Sequence, residues 1–265
     1  MFPLKDNIPN ERFPLVTVVL IVLNVVAYLL SIRHGGSLIG GPADTVSVHY
    51  GAIPFALTHP GTHCDLLSVP DAMGNAAQGI GCQSGPAPGG QPPTWETALT
   101  SMFLHGGILH IAGNMLFLAI FGPNVEDSFR SLRFLAFYLV GGLVALGAEV
   151  LVGPGAMVPT LGASGAVAAV LGAYILLFPR ARILTVVFII FFFTLLELPA
   201  LVVLGFWFVE QVLFGALGQT NPVGSSGGVA YFAHVGGFLF GLAVVGVFAR
   251  RMRAAASGAP RYPVY

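Results

Sequence analysis

The stretch at residues 159–172, PTLGASGAVAAVLG, carries one hydroxyl, Ser164, between Gly162 and Gly165 in a run of small and apolar residues. A serine hydroxyl is a weak nucleophile until a base takes its proton, and neutral histidine suits that task at physiological pH. His234, in AYFAHVGGFLFG, is a candidate base. Attack on an amide builds a tetrahedral oxyanion, which needs hydrogen-bond donors aimed at it. In FLHGGILHIAGNMLFL, His110 and Asn114 are four residues apart and project from one helix face. The Asn114 amide, a His110 ring N–H and the backbone N–H of Ser164 can supply those donors, helped by the free N–H groups of a helix start. Gly162 and Gly165 would let a substrate backbone come close to the hydroxyl.

Each of these residues also has a plain structural explanation. A membrane serine packs between helices, a histidine near an interface is a satisfied amphipathic side chain, and asparagine can hold helices together. His105, five residues before His110, falls roughly 140° round the helix and is read as a loop or interface residue ordering the end of the first loop. The combination carries the weight, and that depends on which elements bring the residues to one depth.

The chain has 265 residues, 55% apolar and 8% charged, with a mean hydropathy of +0.85. Soluble domains carry about 25% charged residues, so this composition describes an all-α polytopic membrane protein. The formal net charge is zero and no basic block marks a nucleic-acid surface. Apolar stretches long enough to span are Phe13–Ile32, Leu104–Phe121, Phe134–Val152, Leu161–Phe178, Leu198–Leu217 and Val229–Ala249. The apolar segment Ile183–Leu196 is short for a span and is closed by Glu197 and Pro199, so it is expected to be interfacial or half-inserted.

Cytoplasmic segments carry an excess of Lys and Arg. With six spans and both termini cytoplasmic, ten of the eleven basic residues lie inside, leaving only Arg33 outside. A seventh span at 183–196 would export the cluster at Arg250, Arg251 and Arg253. The first span ends LLSIRHGG without a small-residue cleavage site, and is expected to be an uncleaved anchor.

This topology places a loop of residues 33–103 outside the membrane. Its stretch GIGCQSGPAPGGQPPT is expected to be irregular, and Cys64 and Cys82, the chain's two cysteines, are expected to pair on this oxidising side. Spans two, four and six all run inward. Ser164, His234 and the His110/Asn114 pair are therefore expected in the outer half of the bilayer.

At these residues the chain resembles the rhomboid family of intramembrane serine proteases. The matching features are G-x-S-G at Gly162–Gly165, H-x-x-x-N at His110–Asn114, and A-H-x-x-G at Ala233–Gly237, in this order on three spans. The resemblance covers a core of about residues 98–250 within one membrane domain, 1–265. It implies a six-helix bundle with an outward-opening cavity and a Ser/His dyad, with Ser164 as nucleophile and His234 as general base. His110 and Asn114 would line the oxyanion hole.

Gly237 and Gly241, four apart, fit the close approach of spans four and six that the dyad needs. Glu126 matches a structural position at the inner end of span two. Two departures stand out. Ala168 occupies the place where many bacterial members stack an aromatic ring on the base, leaving Tyr231 or Phe232 as substitutes. The Trp-Arg pair of many first loops is missing, with only Trp95 near the loop's end.

The expected partners are transmembrane protein substrates and the lipid bilayer, with no nucleic acid, nucleotide, cofactor or metal. The expected location is a bacterial inner membrane. Three competing readings are a catalytically silent relative that binds transmembrane segments, a transporter, and a metal site of His105, His110 and His234. The first normally lacks the serine or the base. Against the second, the inner halves of spans four and six hold no ionisable residue. The third lacks both a carboxylate and the H-E-x-x-H spacing. Glu149, near the outer end of span three, and mid-span Glu210 and Gln211 have no assignment from sequence.

Overall fold

The computed structural model describes residues 2–70, 76–85, 87, 89–189, 192–220 and 229–248. In chain order it comprises β1 (Phe2–Asp6), α1 (Leu15–Ser31), α2 (Asp44–Tyr50), α3 (Pro54–Thr58), β2 (Thr62–Pro70), β3 (Ala76–Ser84) and α4 (Thr94–Thr100). These are followed by α5 (Ile108–Phe129), α6 (Ser131–Val152), α7 (Ser164–Leu177), β4 (Arg182–Ile189), β5 (Phe192–Pro199), α8 (Ala200–Thr220) and α9 (Tyr231–Phe248). Among the described residues four helices, α5, α6, α8 and α9, are long and apolar enough to cross a membrane, and α1 and α7 are shorter apolar helices.

The fold is mostly helical but not all-α, because two small antiparallel sheets accompany the helices among the described residues. The segment expected at the interface folds into the β4–β5 hairpin, with β1 paired along β4. Its β-branched and aromatic residues suit a pleated strand, and its length is too small for a spanning helix. Pro199 ends the hairpin, and α8 starts immediately after it, because proline lacks the N–H that a helix interior needs.

The Gly/Pro-rich part of the first loop is more ordered than its composition suggests. Gly79–Ser84 belongs to β3, and Cys64 and Cys82 face each other across β2 and β3 and are joined by a disulfide. The loop is tied to the helices: Ala52 and Thr160 exchange backbone hydrogen bonds of 3.2 and 2.8 Å, and Ile108 N–H donates to Ile39 O at 3.1 Å.

α7 is the central helix. From Ala166 to Leu177 every residue but Leu176 is buried, packed by α5, α6 and α9. Small residues set the spacing of α7 and α9. A Cβ at Gly237 would collide with the carbonyl oxygen of Gly165, and one at Gly241 with that of Ala169. The backbones touch there, and any larger side chain would force the helices apart.

The opposite end of the bundle from Ser164 is closed by two polar knots. Buried Glu126 on α5 accepts from Val16 N–H at 3.0 Å, Thr17 N–H at 2.8 Å, the Thr17 hydroxyl at 2.8 Å and the Ser131 hydroxyl at 2.6 Å. It thereby caps the start of α1, whose first N–H groups have no intrahelical acceptor. Asp6 on β1 accepts from Asn124 Nδ2 of α5 and from the Tyr174 hydroxyl of α7, each at 2.6 Å. Burial raises the Asp6 carboxyl to about 6, against the opposing pull of the Tyr174, Ile8 and Asn124 hydrogen bonds and the Lys5 charge.

Candidate active site

Ser164 is the first residue of α7, three residues later than the span start read from hydropathy. Gly162 explains the delay: its φ of +117° lies in the left-handed region and cannot continue a helix. Its N–H donates to Ser101 O at 2.9 Å, which fixes the bend. The serine therefore stands where the helix leaves its first N–H groups without intrahelical acceptors and presents a partial positive charge.

α5 likewise starts later than hydropathy indicates, at Ile108. His105 thus precedes the helix instead of lying on it. It is fully buried, packs edge-on to the His110 ring at 5.2 Å, and its Nε2 accepts from Ala163 N–H at 3.5 Å. It ties the start of α5 to the bend before Ser164.

His110 and Asn114 face that bend from one side of α5. A Cβ at Gly162 would lie 2.7 Å from His110 Nε2 and 3.5 Å from Asn114 Nδ2, so only glycine leaves room there. His110 Nδ1 accepts from Gly106 N–H at 3.3 Å. A ring nitrogen that accepts has no proton, so Nε2–H is the donor, directed to the Gly162 side. Asn114 Nδ2 is buried and has no acceptor among the described residues. A buried amide donor left without an acceptor needs an explanation.

His234 lies in the first turn of α9. Its Nδ1 is 2.7 Å from Gln211 Oε1 on α8, and its ring stands 5.7 Å from that of Trp207, one turn earlier on α8. Tyr231 pairs instead with Phe214, and Phe232 lies against Gly215. The aromatic ring beside the histidine is therefore Trp207 rather than either expected substitute. The start of α9 is capped from α6, where Glu149 Oε2 accepts from Ala233 N–H at 2.9 Å.

Ser164, His234, His110 and Asn114 all line one cavity of about 670 Å³, walled on its apolar side by Leu109, Phe117, Val167 and Trp207. Gly165 is not on that wall. A Cβ there would meet Ala145 of α6 at 2.6 Å, so its smallness serves helix packing. Ala168 is fully buried, and Glu210 is half-buried and is not among the residues lining the cavity. Among the described residues no group of three or more His, Cys, Asp or Glu is placed to hold a metal ion.

Gln211, Trp207 and Glu149 are the residues that sequence reasoning left without a place. The available signal was polarity within an apolar span, which marks a residue as a candidate without naming its partner.

Comparison with known proteins adds a family. A model described as Rhomboid domain matches residues 92–251, more than half of the chain. The chain is 33% identical over 148 residues to "Rhomboid protein 1, mitochondrial" of Saccharomyces cerevisiae, covering 54% of this chain and 38% of that protein. It is 33% identical over 167 residues to "Rhomboid protease GluP" of Bacillus subtilis, covering 61% of this chain and 29% of that protein. A 31% identity over 149 residues to the human "Presenilin-associated rhomboid-like protein, mitochondrial" covers 54% of this chain and 35% of that protein. The chain thus spans well under half the length of these relatives.

Proposed function

Because the chain belongs to the rhomboid family, we propose that it is an intramembrane serine endopeptidase working with a Ser164/His234 dyad and an oxyanion hole of His110 and Asn114. One observation carries this reading. The buried Asn114 amide has no acceptor among the described residues, and it lies beside the Gly162 bend on the wall of the cavity that Ser164 and His234 share. A buried donor without an acceptor among the described residues suits an oxyanion that exists only during reaction.

In the proposed reaction, Ser164 Oγ attacks the scissile carbonyl carbon while His234 Nε2 takes the hydroxyl proton. The carbonyl oxygen becomes an oxyanion held by Asn114 Nδ2–H, His110 Nε2–H and the Ser164 backbone N–H. Collapse breaks the C–N bond, and the departing amine takes the proton from His234. A water molecule, deprotonated by the same nitrogen, then attacks the acyl carbon; collapse breaks the bond to Oγ, which takes the proton back from His234.

The substrates are proposed to be single-span proteins cut near the outer membrane boundary, where small or helix-breaking residues ease unwinding. No cofactor, nucleotide or nucleic acid takes part in this chemistry. The chain is a multi-pass membrane protein. Its proposed arrangement is one membrane domain, 1–265, with six spans formed by α1, α5, α6, α7, α8 and α9 and both termini cytoplasmic. The placement of basic residues supports that orientation. A bacterial inner membrane is the proposed location, consistent with the Bacillus relative, while the yeast and human relatives carry mitochondrial names.

The test is cleavage of a single-span model substrate in reconstituted vesicles. Ser164→Ala and His234→Ala should each lower cleavage on the order of 10⁴-fold or more while the protein inserts and folds normally. Retained cleavage in Ser164→Ala would sink the protease reading and leave a segment-binding role.

A further inference from the structure

We propose that Gln211 is a positioning residue for His234, holding its ring proton on Nδ1 and so leaving Nε2 free to act as the base. This rests on reading Ser164 and His234 as a proteolytic dyad, and it adds a neutral third member on a separate helix.

A histidine can take a proton at one ring nitrogen only if the other already carries one, so something must choose the tautomer. The sole polar side-chain contact to His234 among the described hydrogen bonds is Gln211 Oε1, 2.7 Å from Nδ1. A carboxamide oxygen has no proton to give, so this bond needs the proton on Nδ1. Gln211 is itself buried, and a buried amide in an apolar span is costly unless paired. Trp207 lies four residues earlier on the same face of α8, with its ring 5.7 Å from that of His234 and tilted by 36°. The hydrogen bond sets the direction of the imidazole, and the indole limits its rotation. With Ala168 in the serine helix too small to stack on the ring, α8 does the orienting instead of α7.

A residue that merely joined α8 to α9 would change stability and leave turnover per folded molecule alone. Gln211→Leu keeps the bulk and removes the acceptor. Assayed in the full chain in vesicles, it should lower kcat on the order of 10- to 100-fold with KM within about threefold of the unsubstituted protein. Gln211→Glu retains an acceptor oxygen whether or not it is ionised, and should recover most of that loss.

Nitrogen-15 histidine spectra of the unsubstituted protein should show His234 protonated at Nδ1, with that preference lost in Gln211→Leu. A kcat within twofold in Gln211→Leu, or an Nε2-protonated His234 in the unsubstituted protein, would overturn the inference. A rise in KM at unchanged kcat would overturn it as well, by showing a substrate contact. The spectra need no turnover, so they judge the Gln211 contact separately. If Ser164→Ala still cleaves, the dyad reading falls instead.

Discussion

Asn114 and Glu126 stand twelve residues apart on α5, and both carry polar heads into the interior of an apolar bundle. Glu126 receives four hydrogen bonds from α1 and the start of α6. The Asn114 amide nitrogen receives no acceptor from the described residues and lies on a cavity wall. α7 repeats the contrast. The Tyr174 hydroxyl near its far end is bonded to Asp6, whereas Ser164 at its start faces the cavity. A polar group whose bonding capacity is filled by the protein has little left for a ligand, and its value is structural. A buried group left without a partner raises the free energy of the folded state, and a ligand that supplies the partner recovers that cost.

Three experiments bear on the contrast. Asn114→Ala should lower kcat on the order of 10²- to 10³-fold without lowering the thermal midpoint, because its amide nitrogen gives up no bond to the described residues. An equally large loss of thermal stability would erase the distinction between the two ends. Glu126→Ala should behave in the opposite way. It removes the acceptor for two backbone N–H groups and two hydroxyls, a loss on the order of 2–4 kcal/mol of stability. Turnover per folded molecule should stay within about threefold of the unsubstituted protein, as measured by active-site titration.

The smallest effect concerns Asp6. Its carboxyl is raised from 3.8 to about 6, so the folded state binds more protons than the unfolded one between those values. Stability should therefore fall as pH rises from about 4 through 6, by on the order of 2 kcal/mol, and then level off. Thermal midpoints of the unsubstituted protein and Asp6→Asn should diverge across that window. Parallel curves would show that Asp6 is ionised at no cost.

Much of the framework was legible in the chain. Charge-poor apolar stretches announced the membrane helices, because a bilayer admits little else. G-x-S-G, H-x-x-x-N and A-H-x-x-G contain Ser164, His110, Asn114 and His234, which line a common cavity. The errors at helix starts were local: hydropathy does not register that Gly162 bends the backbone, so Leu161–Ala163 looked like part of a span. The Ile183–Leu196 segment was recognised as too short to cross, but its strand pairing with residues near the chain start was beyond any local pattern.

By itself the sequence determined which residues have the chemistry to act and which stretches must leave water, since both follow from side-chain type and local spacing. Only the tertiary structure decided which polar groups meet. Gln211 reaches His234 across 23 residues of chain, Glu149 reaches Ala233 across 84, and Glu126 reaches Thr17 across 109. Such pairs form where packed backbones bring two helix faces together, and that contact is a property of the whole bundle.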